Sequence, residues 1–102
     1  MHLIEILLPL YGNDGRRFPA ERFGEVRSEL LDHFGGLTAF TRSPAEGLWE
    51  AADGEKMRDE VVIFEVMADW IDRSWWRGYR STLEHRFEQD EIVIRAREVD
   101  RL

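Results

Sequence analysis

The chain has 102 residues, of which 43% are hydrophobic and 12% aromatic, with a net charge of -7 and no cysteine. That length fits one domain over residues 1–102 that buries about two-thirds of its unfolded surface. The composition excludes disulfides, thiolate chemistry and cysteine-based zinc or iron–sulfur sites, and no apolar run reaches the ~18 residues of a membrane span.

Residues 2–10, HLIEILLPL, alternate as a first strand, with Ile4, Ile6 and Leu8 on one side and Leu3, Glu5 and Leu7 on the other. Glu5 interrupts the run and no basic flank precedes it, so the segment is not a signal peptide. Pro9 and YGNDG supply turn chemistry. A helix then opens at Phe18-Pro19, with proline suited to the first helical position. Phe23, Val26, Leu30 and Phe34 form its apolar stripe, and Gly35-Gly36 ends it. LTAFTR (37–42) reads as a strand interrupted at Ser43-Pro44 and resuming at GLWEAA (47–52). Asp53-Gly54 carries a hairpin-turn signal. If those two residues form the turn, Trp49 faces Arg58 as a cation–π pair. VVIFEVMA (61–68) is the clearest strand, rich in β-branched residues. Asp69 or Asp72 caps a second helix running to about Gln89, and EIVIRAREV (91–99) is the last strand.

Strand, helix, strand, strand, helix, strand is an α+β order that resembles the ferredoxin-like βαββαβ fold. The resemblance implies a four-stranded antiparallel sheet, ordered 4-1-3-2, with two helices on one face.

Within the second helix, SWWRGYR (74–80) interleaves aromatic rings with arginines. Trp76, Tyr79, Leu83 and Phe87 fall within about 80° on a wheel of 100° per residue, the stripe that a sheet-packing helix needs. Trp75 sits on the flank and is the ring expected to be partly exposed. Arg73, Arg77, Arg80 and Arg86 are mixed with Asp69, Asp72, Glu84, Glu88 and Asp90, so no basic stripe is expected and nucleic acid is not a partner. The acidic balance likewise counts against an anionic membrane.

Period-two parity places Ile4, Ile6, Leu8, Val62, Phe64, Val66, Ile92, Ile94 and Ala96 under the helices. The opposite face then holds Leu3, Leu7, Val61, Ile63, Met67, Val93 and Val99 beside Glu5, Glu65, Arg95 and Arg97, with Arg42 nearby. So many aliphatics on a bare face call for a cover. The charges read first as cross-strand ion pairs. A functional reading makes a half-buried glutamate a base beside an arginine that clamps an anion.

With its order of elements, its length and one greasy sheet face, the chain resembles dimeric α+β-barrel proteins. Small antibiotic-biosynthesis monooxygenases, haem-degrading enzymes and stress-responsive barrel proteins have that form. The resemblance implies a homodimer, while the absence of cysteine fits a cytoplasmic protein, and no active-site motif of those proteins aligns here. The run GLTAF…GLWEAADGEKMRDEVVIFEV is also similar to a hairpin region of bacterial domains, which implies no function.

His2, His33 and His85 lack the i, i+4 spacing of a helical metal pair, so no metal or cofactor is expected. His85 falls on the solvent side, and His33 lies near the first helix's C-terminus, where the dipole favours a cation. Asn13-Asp14-Gly15 reads as a plain turn, and ADGEKMRDE (52–60) as a charged hairpin tip. Three functions fit: a barrel that binds a small, partly apolar molecule, a cofactor-independent monooxygenase or isomerase, and an accessory module that uses its sheet face on another protein. The ligand-binding residues expected are Glu5, Glu65, Arg95, Arg97 and Trp75.

Overall fold

A computed structural model of the protein describes residues 1–50 and 56–102, with side chains over 1–41 and 60–102. The elements are β1 (His2–Pro9), α1 (Ala20–Phe34), β2 (Thr38–Glu50), β3 (Lys56–Ala68), α2 (Arg73–Arg86) and β4 (Ile94–Glu98). They form one antiparallel sheet in the order β2-β3-β1-β4, the ferredoxin-like arrangement expected. The hairpin turn at Asp53-Gly54 and the side chains of Arg42, Trp49 and Arg58 lie outside the described residues. The backbone register nevertheless sets Trp49 opposite Met57 and Arg58 opposite Leu48, one residue away from the pairing that a two-residue turn would give.

Several boundaries moved, each for a local reason. Pro19 is the residue before α1 and not its first helical residue, because its ψ of 147° is still extended. At the other end Gly35 takes φ 79° and donates its N–H to Leu31 O at 2.8 Å, a left-handed closure that favours glycine. The Asp72 side chain caps α2 by accepting from Trp75 N at 3.1 Å. That helix stops at Arg86 and not near Gln89: Glu88 turns left-handed at φ 52°, and Gln89 N–H folds back to Glu84 O at 2.8 Å. β2 runs unbroken through Ser43-Pro44, but its register with β3 shifts by three residues between Phe40 and Ala45. Proline has no N–H to give a ladder, so an irregularity of this kind accommodates it.

The alternating residues of β1 and β3 meet the helices as parity requires. Ile4, Ile6, Leu8, Val62, Phe64 and Val66 are buried with Phe23, Val26 and Leu30 of α1 and with Trp76, Tyr79 and Leu83 of α2. Phe87 closes the far end, edge-on to Phe18 at 5.1 Å and tilted against Phe23 at 5.4 Å. At β4 parity gives the right side but not full burial: Ile94 and Ala96 pair with Ile6 and Ile4 on the helix face, yet Ile94 is only half-buried and Ala96 is exposed. The helices leave this edge strand partly uncovered beside α2. No helix among the described residues is long and apolar enough to cross a membrane.

Candidate functional site

Four strands in register build the uncovered face in rows. Thr38, Glu65, Glu5 and Arg95 are successive cross-strand partners, and so are Phe40, Ile63 and Leu7. Val93 extends the second row, its carbonyl accepting from Leu7 N at 3.1 Å. Met67, Leu3 and Arg97 form a third. One polar row therefore lies between two largely apolar ones. Phe40, Met67 and Val93 are each close to half exposed, at 48%, 49% and 46%. These are large apolar side chains facing water on one contiguous surface.

Within the polar row the two glutamates sit directly opposite each other, which costs stability unless charge of the other sign is near. Arg95 Nε lies 3.5 Å from Glu5 Oε1. The Glu5 side chain is only 14% exposed, while that of Arg95 is 57% exposed. Among the described residues, Glu65 has no ion-pair or hydrogen-bond partner. Instead its side of the sheet opens into a hollow of about 420 Å³ between the α1–β2 connection and the chain's first residues. Leu3, Leu37, Thr38, Met67 and Arg101 also line it. A carboxylate in a hollow lined by both apolar and polar groups, Arg101 among them, can hold a hydrogen-bond donor on a small, partly apolar body.

Glu5, Glu65, Arg95 and Arg97 thus share the uncovered face, with Glu5 between Glu65 and Arg95. Trp75 does not join them. It lies on the helix layer, stacked between His33 (4.0 Å, 11°) and Tyr79 (4.9 Å, 18°) and edge-on to Trp76 at 4.8 Å. The rings of SWWRGYR therefore tie the C-terminal end of α1 to the N-terminal end of α2, and the sheet separates them from the polar row. The Asn13-Asp14-Gly15 turn is built as expected, with Arg16 N donating to Asp14 Oδ1 at 2.9 Å. Among the described residues no group of three or more His, Asp or Glu side chains is placed to hold a metal ion.

One polar cluster was not visible in the sequence. Arg86 of α2 holds both carboxylate oxygens of Glu29 on α1, through Nη1 to Oε1 and through Nη2 to Oε2 at 3.1 Å. Tyr79 donates its hydroxyl to Glu29 Oε1 at 3.0 Å, and Glu25 stands 3.8 Å from Arg86 Nε. The Arg86 hydrogen bonds hold the Glu29 carboxyl below its ordinary range, and the same bonds raise Arg86. Burial, followed by the Glu29 charge, pushes the Tyr79 phenol well above its usual value. The signal lay in Glu29, Tyr79 and Arg86, which have no fixed spacing because they belong to two helices 50 and 57 residues apart in sequence.

No protein-family model and no curated protein sequence matches this chain. Its fold is similar to that of a phage SAM lyase solved in complex with S-methyl-5'-thioadenosine, with a TM-score of 0.58 over 95% of this chain and 80% of that one. At 14% identity the likeness concerns the fold alone: four antiparallel strands in one sheet with two helices, an α+β arrangement of ferredoxin-like order.

Proposed function

We propose that this chain binds a small, partly apolar molecule in the hollow beside Glu65, and that a second copy covers the β1–β4 side of its sheet face. The observation that carries the reading is the polar row set between apolar rows on a face that neither helix covers. A two-fold axis parallel to the strands, passing between Glu5 and Arg95, would lay the acidic side of one copy over the basic side of the other. An axis across the strands would oppose like charges. The face therefore suits a second copy in the first orientation, with Leu3, Leu7 and Val93 meeting on either side of the charges.

A ligand-bound protein of the same fold favours a binding function and supplies a first probe, a nucleoside thioether whose hydroxyls and amine can donate to a carboxylate. The enzyme reading is narrower, because Arg95 already engages Glu5 and only Glu65 is left to act as a base.

Sedimentation analysis joined to calorimetric titration with S-methyl-5'-thioadenosine tests both halves. The expected result is a dimer mass for the wild type, a monomer for Val93→Asp, and saturable heat that weakens about tenfold in Glu65→Gln, as loss of a charged hydrogen bond predicts. A wild-type monomer that gives no heat with the probe removes the reading.

A further inference from the structure

A second concavity lies on the opposite side of the sheet, where α2 leaves β4 partly uncovered. It encloses about 340 Å³, with a floor of Ile4, Ile94 and Ala96, an end wall of Ile71 and Trp76, and a long wall of Arg73, Arg77 and Arg80. On a helix of 100° per residue these three arginines span about 60°, so they form one stripe above the apolar floor. No acidic side chain lines the cleft. Arg80 reaches Glu84 only at 4.0 Å, and among the described residues Arg73 and Arg77 have no ion-pair partner. Arg95 borders the cleft, but its guanidinium is turned to Glu5 on the other face.

Arg73 sits where helix electrostatics disfavours a cation, and Arg77 and Arg80 stack like charges behind it at four- and three-residue spacing. The first turn of α2 carries no acid, and Arg73 is its first residue. Cations there repel the positive end of the helix macrodipole, whereas a chain of net charge -7 has acids enough to place instead. A purely structural design would put Asp or Glu at position 73. An anion seated between the arginine stripe and the helix start would reverse the penalty at both. The guanidinium forks suit a phosphate, and the isoleucine floor with Trp76 suits an apolar or aromatic body attached to it.

We propose that the α2–β4 cleft binds a small organic phosphate, its phosphate on Arg73, Arg77 and Arg80 and its apolar body on Ile4, Ile94 and Trp76. The cleft lies across the sheet from the face discussed above, so either proposal can fail without the other.

The test is an amide-resolved NMR titration of the full chain with phenyl phosphate, inorganic phosphate and benzyl alcohol. Saturable shifts are expected at residues 71–80 and 94–96, with phenyl phosphate binding about tenfold or more tighter than either half-molecule. Arg73→Glu/Arg77→Glu should lose that binding about tenfold or more while its melting temperature holds or rises, since acids now sit at the helix start. Arg77→Gln alone should shift affinity in the same direction, so the test does not depend on the double variant. Absence of saturable shifts in the cleft, equal affinity for the three probes, or unchanged binding by both variants would overturn the proposal.

Discussion

Replacing Glu29 by glutamine isolates the ionic part of the contact between the two helices. The amide keeps an oxygen for Tyr79 and Arg86, but the charge facing Arg86 is gone and its second hydrogen bond is replaced by an N–H that cannot accept. Hydrogen bonds to charged groups contribute about 1.5–3 kcal/mol when well buried, whereas exposed ion pairs contribute about 0.2–1 kcal/mol. The Glu29 side chain is 41% exposed and that of Arg86 21%, which places this pair between the two regimes. Glu25, 3.8 Å from Arg86, compensates part of the loss. A cost of about 1 kcal/mol follows, or a fall in melting temperature of about 4–8 °C at this chain length.

The pH dependence separates charge from packing in that cost. Arg86 holds the folded-state pKa of Glu29 below its unfolded value, so folding stabilised by this group is fully present above the unfolded value and fades as pH falls through the folded one. The gap between wild type and Glu29→Gln should therefore stay constant from neutral pH down to about 5 and close below about 4.5. Urea unfolding followed by circular dichroism at several pH values reads it directly. A gap as wide in strong acid as at neutrality would refute an electrostatic origin and leave shape alone as the cause.

Two further substitutions probe the frame that holds the sites. Asp72→Ala removes the side-chain cap on Trp75 N and should cost about 1 kcal/mol in chemical denaturation, with most of the added amide exchange in the first turn of α2. Phe87→Ala deletes a fully buried ring packed against Phe18 and Phe23 and should cost about 3–5 kcal/mol, and a loss below about 1 kcal/mol would mean the ring is not part of the core.

How much of this was legible in the sequence depended on the range of the interaction. Parity along β1 and β3 is a local property, and it placed Ile4, Ile6, Phe64 and Val66 under the helices and Glu5 beside Glu65. The capping role of Asp72 and the glycine stop at Gly35 are equally local. At β4 the same rule placed Ile94 and Ala96 on the helix side but not their depth, because burial of Ala96 depends on how far α2 reaches over an edge strand, and periodicity holds no information on that. The end of α2 was overestimated for a related reason: Glu88 is chemically able to continue a helix, and the need to bring Ile92 back into the core decides otherwise. Trp75 was grouped with the sheet-face charges although its stacking partners, His33 and Tyr79, come from the helices and are set by how α1 meets α2.

The arginines of α2 show how a sum along the chain can hide a surface. Counted over 69–90 they are balanced by five acids, and the segment looks neutral. Folding sorts that mixture by angle and by partner. Asp72 turns to cap the helix, and Glu84 divides itself between Arg80 at 4.0 Å and Ile92 N at 3.2 Å. Arg86 is drawn the other way, to Glu29 and Glu25 on α1. What remains on the β4 side of α2 is Arg73, Arg77 and Arg80 over an aliphatic floor, with no acid among the lining side chains. Coulomb energy depends on distance and local dielectric and not on neighbourhood in sequence, so a segment of balanced charge can carry a cationic wall once its acids face away from that side.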